Sequence, residues 1–386
     1  MEANRSEPWL LSFGFVENAS SSFWAMNATE PTRMVPAALL KGSFLLAIIL
    51  MAISGNLMVL LAVSLNANLR TATNCLIVNL ALADLLLGAS VLPFSAALEI
   101  FDKQWYFGQI FCHVWAATDV LCCTASINSL CVISVDRYIG VTRPLTYSCV
   151  VTHRRALVAC VLVWLLSAII SVGPLLGWRE PPPTDPFVCE VTKQTGYVLF
   201  SVSFSFYIPT LVILVLYYRI YRAATRQTKF LRRGVKTIKG GQLTLRVHTL
   251  CMAGDDVSAA GVQGRLAKFK RQKKAAKTLG IVVGVFIICW FPFFFLLPLG
   301  TLCEQCTVPQ LLFDFSFWTG YLNSCLNPFI YASTSREYKR AFCAILHCQC
   351  NKPREVPFFI APDTRRAWSG TAGHTASCSP GGSHIR

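Results

Sequence analysis

The chain alternates between long apolar segments and shorter polar ones. Five apolar segments carry no Asp, Glu, Lys or Arg: 42–69, 156–178, 194–218, 278–303 and 315–335. Two more segments, 71–98 and 104–135, each contain a single acid, Asp84 and Asp119 respectively. A helix needs about 20 apolar residues to cross a bilayer. The pattern therefore predicts an all-α membrane protein with a seven-transmembrane helix bundle.

The stretch 119–138, which begins inside the segment 104–135 and runs past its end, has a carboxylate near each end, Asp119 and Asp136. At about 1.5 Å per residue the two lie roughly 25 Å apart, which is close to the thickness of the hydrocarbon core. A carboxylate buried in a membrane is costly, so each one needs a partner. We expect Asp136 to pair with Arg137 and Asp119 to meet a partner cation.

Composition and charge agree with a membrane protein of defined orientation. Hydrophobic residues make up 54% of the chain and charged residues 14%, against about 25% charged in ordinary soluble domains. Sixteen Lys or Arg and two acids lie between residues 219 and 277, whereas the first 41 residues carry three basic residues. By the positive-inside rule the N-terminus is extracellular and this loop is cytoplasmic. The net charge of +16 thus indicates topology and contact with anionic lipid or a partner, and not nucleic-acid binding.

The polar segments divide the chain into four regions. We expect an extracellular N-terminal tail at 1–37 and the bundle at 38–334, with a flexible basic cytoplasmic loop at about 227–268 whose ends extend spans five and six as helices. The segment 335–350 predicts a short amphipathic helix at the membrane surface, ending in a cysteine anchor. The Gly-, Ser- and Pro-rich tail at 351–386 is expected to be disordered. No basic region with an apolar core and cleavage site precedes the first span, which should itself act as the targeting signal.

Several residues are candidates for covalent modification. Sequons at Asn4, Asn18 and Asn27 lie in the predicted extracellular tail, and we expect glycosylation of at least one. Cys348 and Cys350 are candidates for palmitoylation beside the amphipathic helix.

Most of the seventeen cysteines lie inside the predicted spans, where Cys behaves as a small apolar residue. Cys112, at the outer end of span three, and Cys189, in the loop before span five, are the best placed to pair outside the membrane. Cys303 and Cys306 flank two residues in the last outer loop. A second bridge there and two free thiols both stay open.

Polar residues inside the spans must find partners on neighbouring helices. Asn323, Asn327 and Tyr331 recur at four-residue spacing and form one polar stripe on span seven. Asp84 of span two is the expected partner of this stripe, with Ser126 as a further oxygen ligand. A small cation such as sodium and a water-filled structural network are two interpretations that both stay open.

Spans five and six carry further candidates. Ser201 and Ser205 are four residues apart and share one helical face. Their hydroxyls either meet a ligand or satisfy backbone carbonyls. Pro209 then removes a backbone hydrogen bond and should open the helix locally. Pro292 kinks span six within a dense cluster of aromatic residues.

In combination these motifs resemble the rhodopsin-like family of G-protein-coupled receptors over about residues 38–350. The motifs are Gly55-Asn56, Leu80-Ala81-Leu82-Ala83-Asp84, Asp136-Arg137-Tyr138, Trp164, Cys289-Trp290-Phe291-Pro292 and Asn327-Pro328-Phe329-Ile330-Tyr331. An acid at Asp119 with serines at 201 and 205 resembles the amine receptors of that family. The stretches 119–126, 136–141, 196–201 and 273–284 are most similar to alpha-1 adrenergic receptors.

The resemblance implies a plasma-membrane receptor for adrenaline or noradrenaline. It would activate a Gq-type heterotrimeric G protein and thereby phospholipase C and calcium signalling, with arrestin and receptor kinases as further partners. It implies no enzymatic activity, no catalytic residue and no cofactor other than the sodium ion left open. The implied ligand-binding residues are Asp119, Val120, Cys123, Ser201, Ser205, Trp290, Phe293, Phe294, Phe317 and Tyr321.

For coupling, the resemblance implies that the inner half of span six swings outward about Pro292, so that Arg137 leaves Asp136 and meets the G protein. The implied coupling residues are Asp136, Arg137, Tyr138, Tyr217, Gln272, Lys273, Asn327 and Tyr331. The implied core switch consists of Ile127, Pro209 and Phe286. Amine receptors commonly have a glutamate where this chain has Gln272. Because a neutral amide loses the charge-assisted part of a bond to arginine, we expect a less favoured inactive state.

Three other classes of membrane protein are disfavoured. A transporter usually contains repeated halves, and no internal repeat is present in the sequence. An opsin needs a retinal-bearing lysine in span seven, and Tyr321 occupies the family's lysine position. A membrane enzyme would require a metal or nucleophile cluster, and no His lies in the central part of a span. The principal alternative is a receptor for another biogenic amine, such as dopamine, octopamine or histamine, with different G-protein coupling.

Overall fold

A computed structural model describes residues 31–144, 146–176, 185–189, 194–239, 259–303 and 305–347. This part of the chain is helical and contains no strand. The predicted modification sites Asn4, Asn18, Asn27, Cys348 and Cys350 lie outside the described residues. The predicted disordered tail and the centre of the basic loop lie outside them as well.

Eleven α-helices follow one another along the described residues. They are α1 (Pro31–Leu65), α2 (Ala72–Ser90), α3 (Leu92–Ile100), α4 (Gln109–Thr142), α5 (Tyr147–Val150), α6 (His153–Leu176), α7 (Thr195–Val202), α8 (Ile208–Lys239), α9 (Ala259–Leu302), α10 (Gln310–Thr334) and α11 (Arg336–Leu346). A π-helical turn, Ser203–Tyr207, joins α7 to α8. The second span consists of α2 and α3, and the fifth consists of α7, the π turn and α8.

Six helical segments of the described chain are long and apolar enough to cross a membrane. They are Leu39–Leu65, Ala72–Ile100, Gln109–Thr142, His153–Gly173, Thr195–Arg226 and Gln272–Leu302. The seventh predicted span corresponds to α10, which has 25 residues and is therefore long enough to cross at about 1.5 Å per residue. It is less apolar than the others because buried polar residues, including Ser316, Asn323, Ser324 and Asn327, lie along it.

The chain divides into two compact units, residues 1–47 and residues 48–386. Within the second unit α4 is the central helix, because it contacts α2, α6, α8 and α9. The neighbouring helices α9 and α10 also pack along each other. Asp119 and Asp136 therefore lie on the helix that most of the second unit surrounds.

The predicted bounds of the third span, 104–135, are shifted relative to α4. Gly108 precedes α4 with a φ of 81°, a left-handed conformation that glycine adopts without steric cost. Trp105 lies before this turn, almost fully buried, and its indole nitrogen donates to the carbonyl of Gly108 at 2.9 Å. At the other end, α4 continues seven residues past the predicted boundary because Asp136 and Arg137 satisfy each other within the helix.

A buried amide connects three helices of the bundle. The side chain of Asn79 on α2 donates to the Ser129 hydroxyl of α4 at 2.8 Å and accepts from the Trp164 indole of α6 at 2.9 Å. Because the hydrocarbon core of a bilayer contains no water, polar groups there must be satisfied within the protein, as these two bonds do. Asn79 therefore fixes the relative positions of α2, α4 and α6.

Proline interrupts the fifth span in the way that the sequence predicts. The π turn Ser203–Tyr207 lies directly before Pro209, and the Ile208 amide bonds to the Ser203 carbonyl five residues earlier. Since Pro209 has no N–H, one carbonyl of the preceding turn loses its usual donor. The wider π turn is a regular response to such a lost bond.

Two disulfides close the loops at one end of the bundle. Cys112 at the start of α4 is bonded to Cys189, and Cys303 just after α9 is bonded to Cys306. The Cα atoms are 5.8 Å and 5.2 Å apart respectively. The second bridge, which the sequence left undecided, is thus formed.

The amphipathic helix predicted after the seventh span is α11. Ser335 caps it by accepting from the Tyr338 amide. Tyr338, Ala341 and Phe342 form its buried face, and the ring of Tyr338 lies 5.6 Å from that of Tyr331 at the end of α10. The helix is therefore held against the bundle by aromatic contact.

Removal of the Asn79 amide should destabilise the helix bundle. Asn79→Ala leaves the buried Ser129 hydroxyl and the partly buried Trp164 indole without this partner, at a cost of about 1 to 3 kcal/mol in the free energy of unfolding. The measurement is the thermal unfolding midpoint of the purified protein in detergent. Ser54→Ala is the matched control, because the exposed Ser54 hydroxyl bonds only to the Leu50 carbonyl of its own helix. Equal midpoints for both variants would contradict a structural role for Asn79.

Candidate functional site

The first cluster surrounds Asp119 on α4. Tyr321 of α10 is hydrogen-bonded to its carboxylate, and the Cys123 thiol donates to it from one turn further along α4 at 3.5 Å. Tyr321 is fully buried, and its hydroxyl also lies 3.5 Å from that of Ser95. No Lys, Arg or His among the described residues forms an ion pair with Asp119. The carboxylate thus has hydrogen-bond donors but no protein cation.

Aromatic side chains of α9 and α10 form a wall beside this carboxylate. Phe293 lies 5.4 Å from Phe317 and 5.9 Å from Trp290, and Phe317 lies 4.6 Å from Tyr321, measured between ring centroids. Phe294 stacks on Phe206 of the π turn at 4.5 Å. Such faces can stack on a flat ring and attract a cation. The wall therefore suits a ligand with an aromatic ring and a positive charge.

The wall is closely packed at one glycine. A Cβ atom built on Gly320 would lie 2.6 Å from Cε3 of Trp290. A side chain at that position would force the indole to move. Gly320 therefore allows α10 to approach α9 at the level of Trp290.

The two predicted serines lie on opposite sides of the π-turn boundary. Ser201 is in α7 and is partly buried. Ser205 is in the π turn, is buried, and lies 2.8 Å from the Thr124 hydroxyl of α4. Val120 and Cys123 are half-buried on α4. Ser205 is thus hydrogen-bonded to a side chain of another helix, which the sequence did not indicate.

An ion-pair cluster joins the end of α3 to the start of α10. Lys103 pairs with Glu99 and, at 3.0 Å, with Asp314. Burial lowers the pKa of Lys103, but its hydrogen bonds to Glu99 and Asp314 outweigh that effect and raise the pKa above its usual value. Asp314 precedes Tyr321 by two helical turns, or roughly 10 Å. This cluster therefore borders the region around Asp119.

A second buried carboxylate, Asp84 on α2, lies 1% exposed among neutral donors. It accepts from Ser126 of α4 at 3.2 Å, from Ser324 at 2.9 Å and from Asn327 at 2.8 Å. Asn323 was expected in this set, but neither of its side-chain polar atoms has a hydrogen-bond partner. Ser324, the next residue on α10, takes the place that the four-residue spacing assigned to Asn323.

The third cluster surrounds Arg137 near the end of α4. Its guanidinium forms the expected ion pair with Asp136 and also donates to Thr73 of α2 at 2.6 Å and to Tyr147 of α5 at 3.1 Å. The Tyr147 hydroxyl donates to Asp136 at 2.6 Å. Burial raises the pKa of Tyr147 to about 12 and Asp136 also raises it, although Arg137 acts against both. Tyr147 thus stays a donor near neutral pH.

One hydrogen bond of Arg137 reaches α9. Its Nη1 donates to Oε1 of Gln272 at 3.4 Å, a long contact. A Cβ built on Gly140 would lie 2.7 Å from the same oxygen, so glycine permits this approach. Tyr217 and Tyr331 have buried hydroxyls without a hydrogen-bond partner. Tyr217 and Tyr331 therefore do not bond to Arg137 in this conformation. Of the other predicted coupling residues, Tyr138 is half-buried and Lys273 is exposed.

An apolar core connects the first and third clusters. Ile127, Phe286 and Phe206 are almost fully buried in one hydrophobic cluster with Trp290. Phe286 lies 6.4 Å from both Phe206 and Trp290, measured between ring centroids. Pro209 is buried, and its carbonyl accepts from the Cys131 thiol at 3.4 Å. The residues of the predicted core switch thus lie between the two clusters.

Sequence reasoning missed four polar partners: Thr73, Thr124, Tyr147 and Ser324. All four carry a hydroxyl; Thr73, Thr124 and Ser324 lie at ordinary helix positions, and nothing in their spacing distinguishes them. Tyr147 lies in a short segment between two spans, where a polar residue is unremarkable. A buried arginine needs several hydrogen-bond acceptors. That requirement of Arg137 could have indicated Tyr147 and Thr73 as its partners.

Comparison with known proteins places these clusters in a family. Residues 55–331 match the sequence profile described as "7 transmembrane receptor (rhodopsin family)". The chain is 52% identical to the alpha-1D adrenergic receptor of Homo sapiens over 327 residues, which covers 81% of this chain and 57% of that receptor. It is 49% identical to the Rattus norvegicus alpha-1D adrenergic receptor, covering 88% of this chain and 62% of the relative.

A further relative is the alpha-1A adrenergic receptor of Bos taurus, 48% identical over 88% of this chain and 74% of that receptor. The chain thus spans less than two thirds of the length of the alpha-1D relatives. The profile covers the helices α2 to α10 that hold Asp84, Asp119 and Arg137. By this match and these identities, the chain belongs to the rhodopsin family of seven-transmembrane receptors.

Proposed function

We propose that the chain is a cell-surface receptor for adrenaline or noradrenaline that activates a Gq-type G protein, and through it phospholipase C and calcium signalling. The observation that carries this proposal is Asp119, a carboxylate with no cationic partner among the described residues and with an aromatic wall beside it. The names of the relatives, alpha-1D and alpha-1A adrenergic receptors, support the same ligand class. The rhodopsin family is a class of signalling receptors, not of enzymes.

The chemistry of a catecholamine matches the groups around Asp119. A protonated amine gains most from a carboxylate in a site that excludes water. Phe293, Phe294 and Phe317 offer ring faces for the catechol. Ser201 and Ser205 offer hydroxyls for the two ring oxygens. Dopamine, octopamine and histamine share the amine, so displacement of a radioligand by a panel of these amines discriminates among the candidates.

Loss of the charge of Asp119 should weaken amine binding more than a change in the size of its side chain does. Asp119→Asn should cost about 2 to 5 kcal/mol of binding free energy, because a desolvated ammonium loses its charged partner. Asp119→Glu, which keeps the charge, is the matched control and should cost less. The measurement is radioligand affinity at equal surface expression. Full amine affinity in Asp119→Asn would place the anchor elsewhere.

We further propose that the N-terminus is extracellular, with glycosylation at one or more of Asn4, Asn18 and Asn27. The cytoplasmic anchor would then be palmitoylated at Cys348 and Cys350. The basic loop between spans five and six supports this orientation. The disulfides between Cys112 and Cys189 and between Cys303 and Cys306 support it as well, because disulfides persist on the oxidising side of the plasma membrane.

A sodium ion at Asp84 is a further part of the proposal. A buried carboxylate surrounded only by neutral donors carries an uncompensated charge, which is costly in a membrane. The hydroxyl oxygens of Ser126 and Ser324 lie 3.2 Å and 2.9 Å from the same carboxylate oxygen of Asp84. The unpartnered amide oxygen of Asn327 and the unpartnered side chain of Asn323 could complete the ligand set. These residues fit a small cation that would stabilise the resting conformation.

Sodium should lower agonist affinity in the native chain but not in Asp84→Asn. The amide keeps the size of the carboxylate and removes the charge that attracts the ion. The measurement is agonist displacement of a radiolabelled antagonist in sodium chloride and in N-methylglucamine chloride. Sodium sensitivity that survives in Asp84→Asn would favour the water-filled network instead.

For coupling, we propose that α9 moves outward about Pro292, so that Arg137 leaves Asp136 and meets the G protein. Ile127, Pro209 and Phe286 would repack as α9 moves, and Tyr217 and Tyr331 would then close on Arg137. Arrestin and receptor kinases would use the same cytoplasmic face, together with Tyr138 and Lys273. The present pairing of Arg137 with Asp136 supports assigning this conformation to the resting state.

Restoring an acid at Gln272 should lower ligand-free signalling. The bond from Arg137 to Gln272 is neutral at the acceptor and 3.4 Å long, whereas a charge-assisted bond is roughly twice as strong. A gain of about 1 kcal/mol in the resting state changes a minor population several-fold. The measurement is basal inositol phosphate production in Gln272→Glu at matched surface expression.

The matched control for this experiment is Gln272→Met, which keeps the length of the side chain and removes the acceptor. It should raise basal signalling, and neither variant should alter antagonist affinity. Unchanged basal activity in both would mean that Asp136 alone restrains Arg137.

A further inference from the structure

One of the two serines of span five is hydrogen-bonded to a buried residue of another helix. The Thr124 hydroxyl on α4 lies 2.8 Å from that of Ser205, and the two residues are 0% and 4% exposed. Ser201 lies one turn earlier, in α7, and is only partly buried. Ser205 is therefore held in place by Thr124 before any ligand arrives.

We propose that Thr124 is a positioning residue, which acts through Ser205 and determines how strongly that serine binds a ring hydroxyl of the ligand. The inference rests on the proposed catecholamine function and extends it. Ser201 has no part in this effect, and Thr124 does not need to touch the ligand.

The reason lies in the hydrogen-bonding capacity of a hydroxyl group. A serine hydroxyl has one proton and two lone pairs, so it can accept from a ligand and donate to a protein partner at the same time. A phenol is a better hydrogen-bond donor than a serine hydroxyl, so the ring hydroxyl of the ligand donates to the Ser205 oxygen. The Ser205 hydroxyl in turn donates its proton to Thr124. Chains of hydrogen bonds of this kind strengthen one another in a site of low dielectric constant.

Positioning also lowers the entropic cost of binding. A serine without a partner rotates about its Cα–Cβ bond, and a ligand that binds it must fix one rotamer. The bond to Thr124 fixes the rotamer of Ser205 beforehand. The backbone separates the two serines as well, because Ser201 lies in the regular helix α7 and Ser205 in the π turn.

The experiment is a pair of double-mutant cycles on the whole chain. Thr124→Val removes one hydroxyl with little change of shape. It is made alone and in the Ser201→Ala and Ser205→Ala backgrounds. The probes are phenethylamine, its two derivatives with a single meta or para ring hydroxyl, and noradrenaline, each displacing a radiolabelled antagonist.

We expect Thr124→Val to weaken noradrenaline, and one of the two monohydroxyl probes, by roughly 3- to 10-fold. Phenethylamine and the antagonist should be unaffected. The loss should vanish in the Ser205→Ala background and persist in the Ser201→Ala background. The other monohydroxyl probe should be unaffected. Thr124→Ser, which retains the hydroxyl, should restore native affinity.

Additive losses in every background would overturn the inference, because residues that act only through a serine have no effect once that serine is gone. Equal losses for phenethylamine and noradrenaline would also overturn it and indicate a packing role. If Thr124→Val does not reach the surface, Thr124→Ala answers the same question. If the native receptor binds phenethylamine as tightly as noradrenaline, the catecholamine proposal itself is contradicted. That outcome is distinct from additive losses in the double-mutant cycles.

Discussion

The bundle depends on how it accommodates negative charge inside the membrane. A carboxylate in the hydrocarbon core must be neutralised, paired or surrounded by donors. Asp136 is paired with Arg137, and Asp84 is surrounded by two hydroxyls and an amide. Asp119 has a phenol and a thiol but no protein cation among the described residues. Of the three carboxylates, Asp119 is thus the one that gains most from a cationic ligand.

All three buried carboxylates lie on α4 or bond to it, which is consistent with its central place among the helices. Asp119 and Asp136 lie on α4 itself, and Ser126 of α4 bonds to Asp84. A charge that binds at Asp119 therefore acts on a helix whose far end holds Arg137. The helix α9 contacts both regions, through Trp290 near Asp119 and through Gln272 near Arg137. A rigid-body movement of α9 can thus connect the two sites without any change along α4.

Much of the fold could be predicted from charge-free windows, because a bilayer permits few alternatives to an apolar helix. Element ends were less predictable, since helices such as α4 and α9 continue beyond the membrane in polar sequence. The main partners of Asp136 and Asp84 followed from the cost of buried charge. Ser324 did not, because a four-residue spacing selects one face of an ideal helix, whereas α10 contains Pro328 and turns a neighbouring face toward Asp84. Thr124 is a hydroxyl residue with no distinguishing spacing.

The contact from Arg137 to Gln272 is too weak to hold α9 in place by itself. Most of the hydrogen bonds of Arg137 in the described structure go to Asp136, Thr73 and Tyr147, which lie on other elements. Next to it lies a small apolar cluster that joins α4, α8 and α9, namely Val141, Ile220, Ala224 and Ala276.

Full burial of a Val or Ile side chain contributes about 1.5 to 3 kcal/mol, and burial of an Ala side chain contributes less. Around Arg137 the position of α9 thus depends on several contributions of a few kcal/mol or less. Under the proposed function, a ligand at Asp119 needs only a few kcal/mol of differential affinity between two positions of α9 to reverse such a balance. The proposed outward movement of α9 would then break several modest contacts and no single strong one.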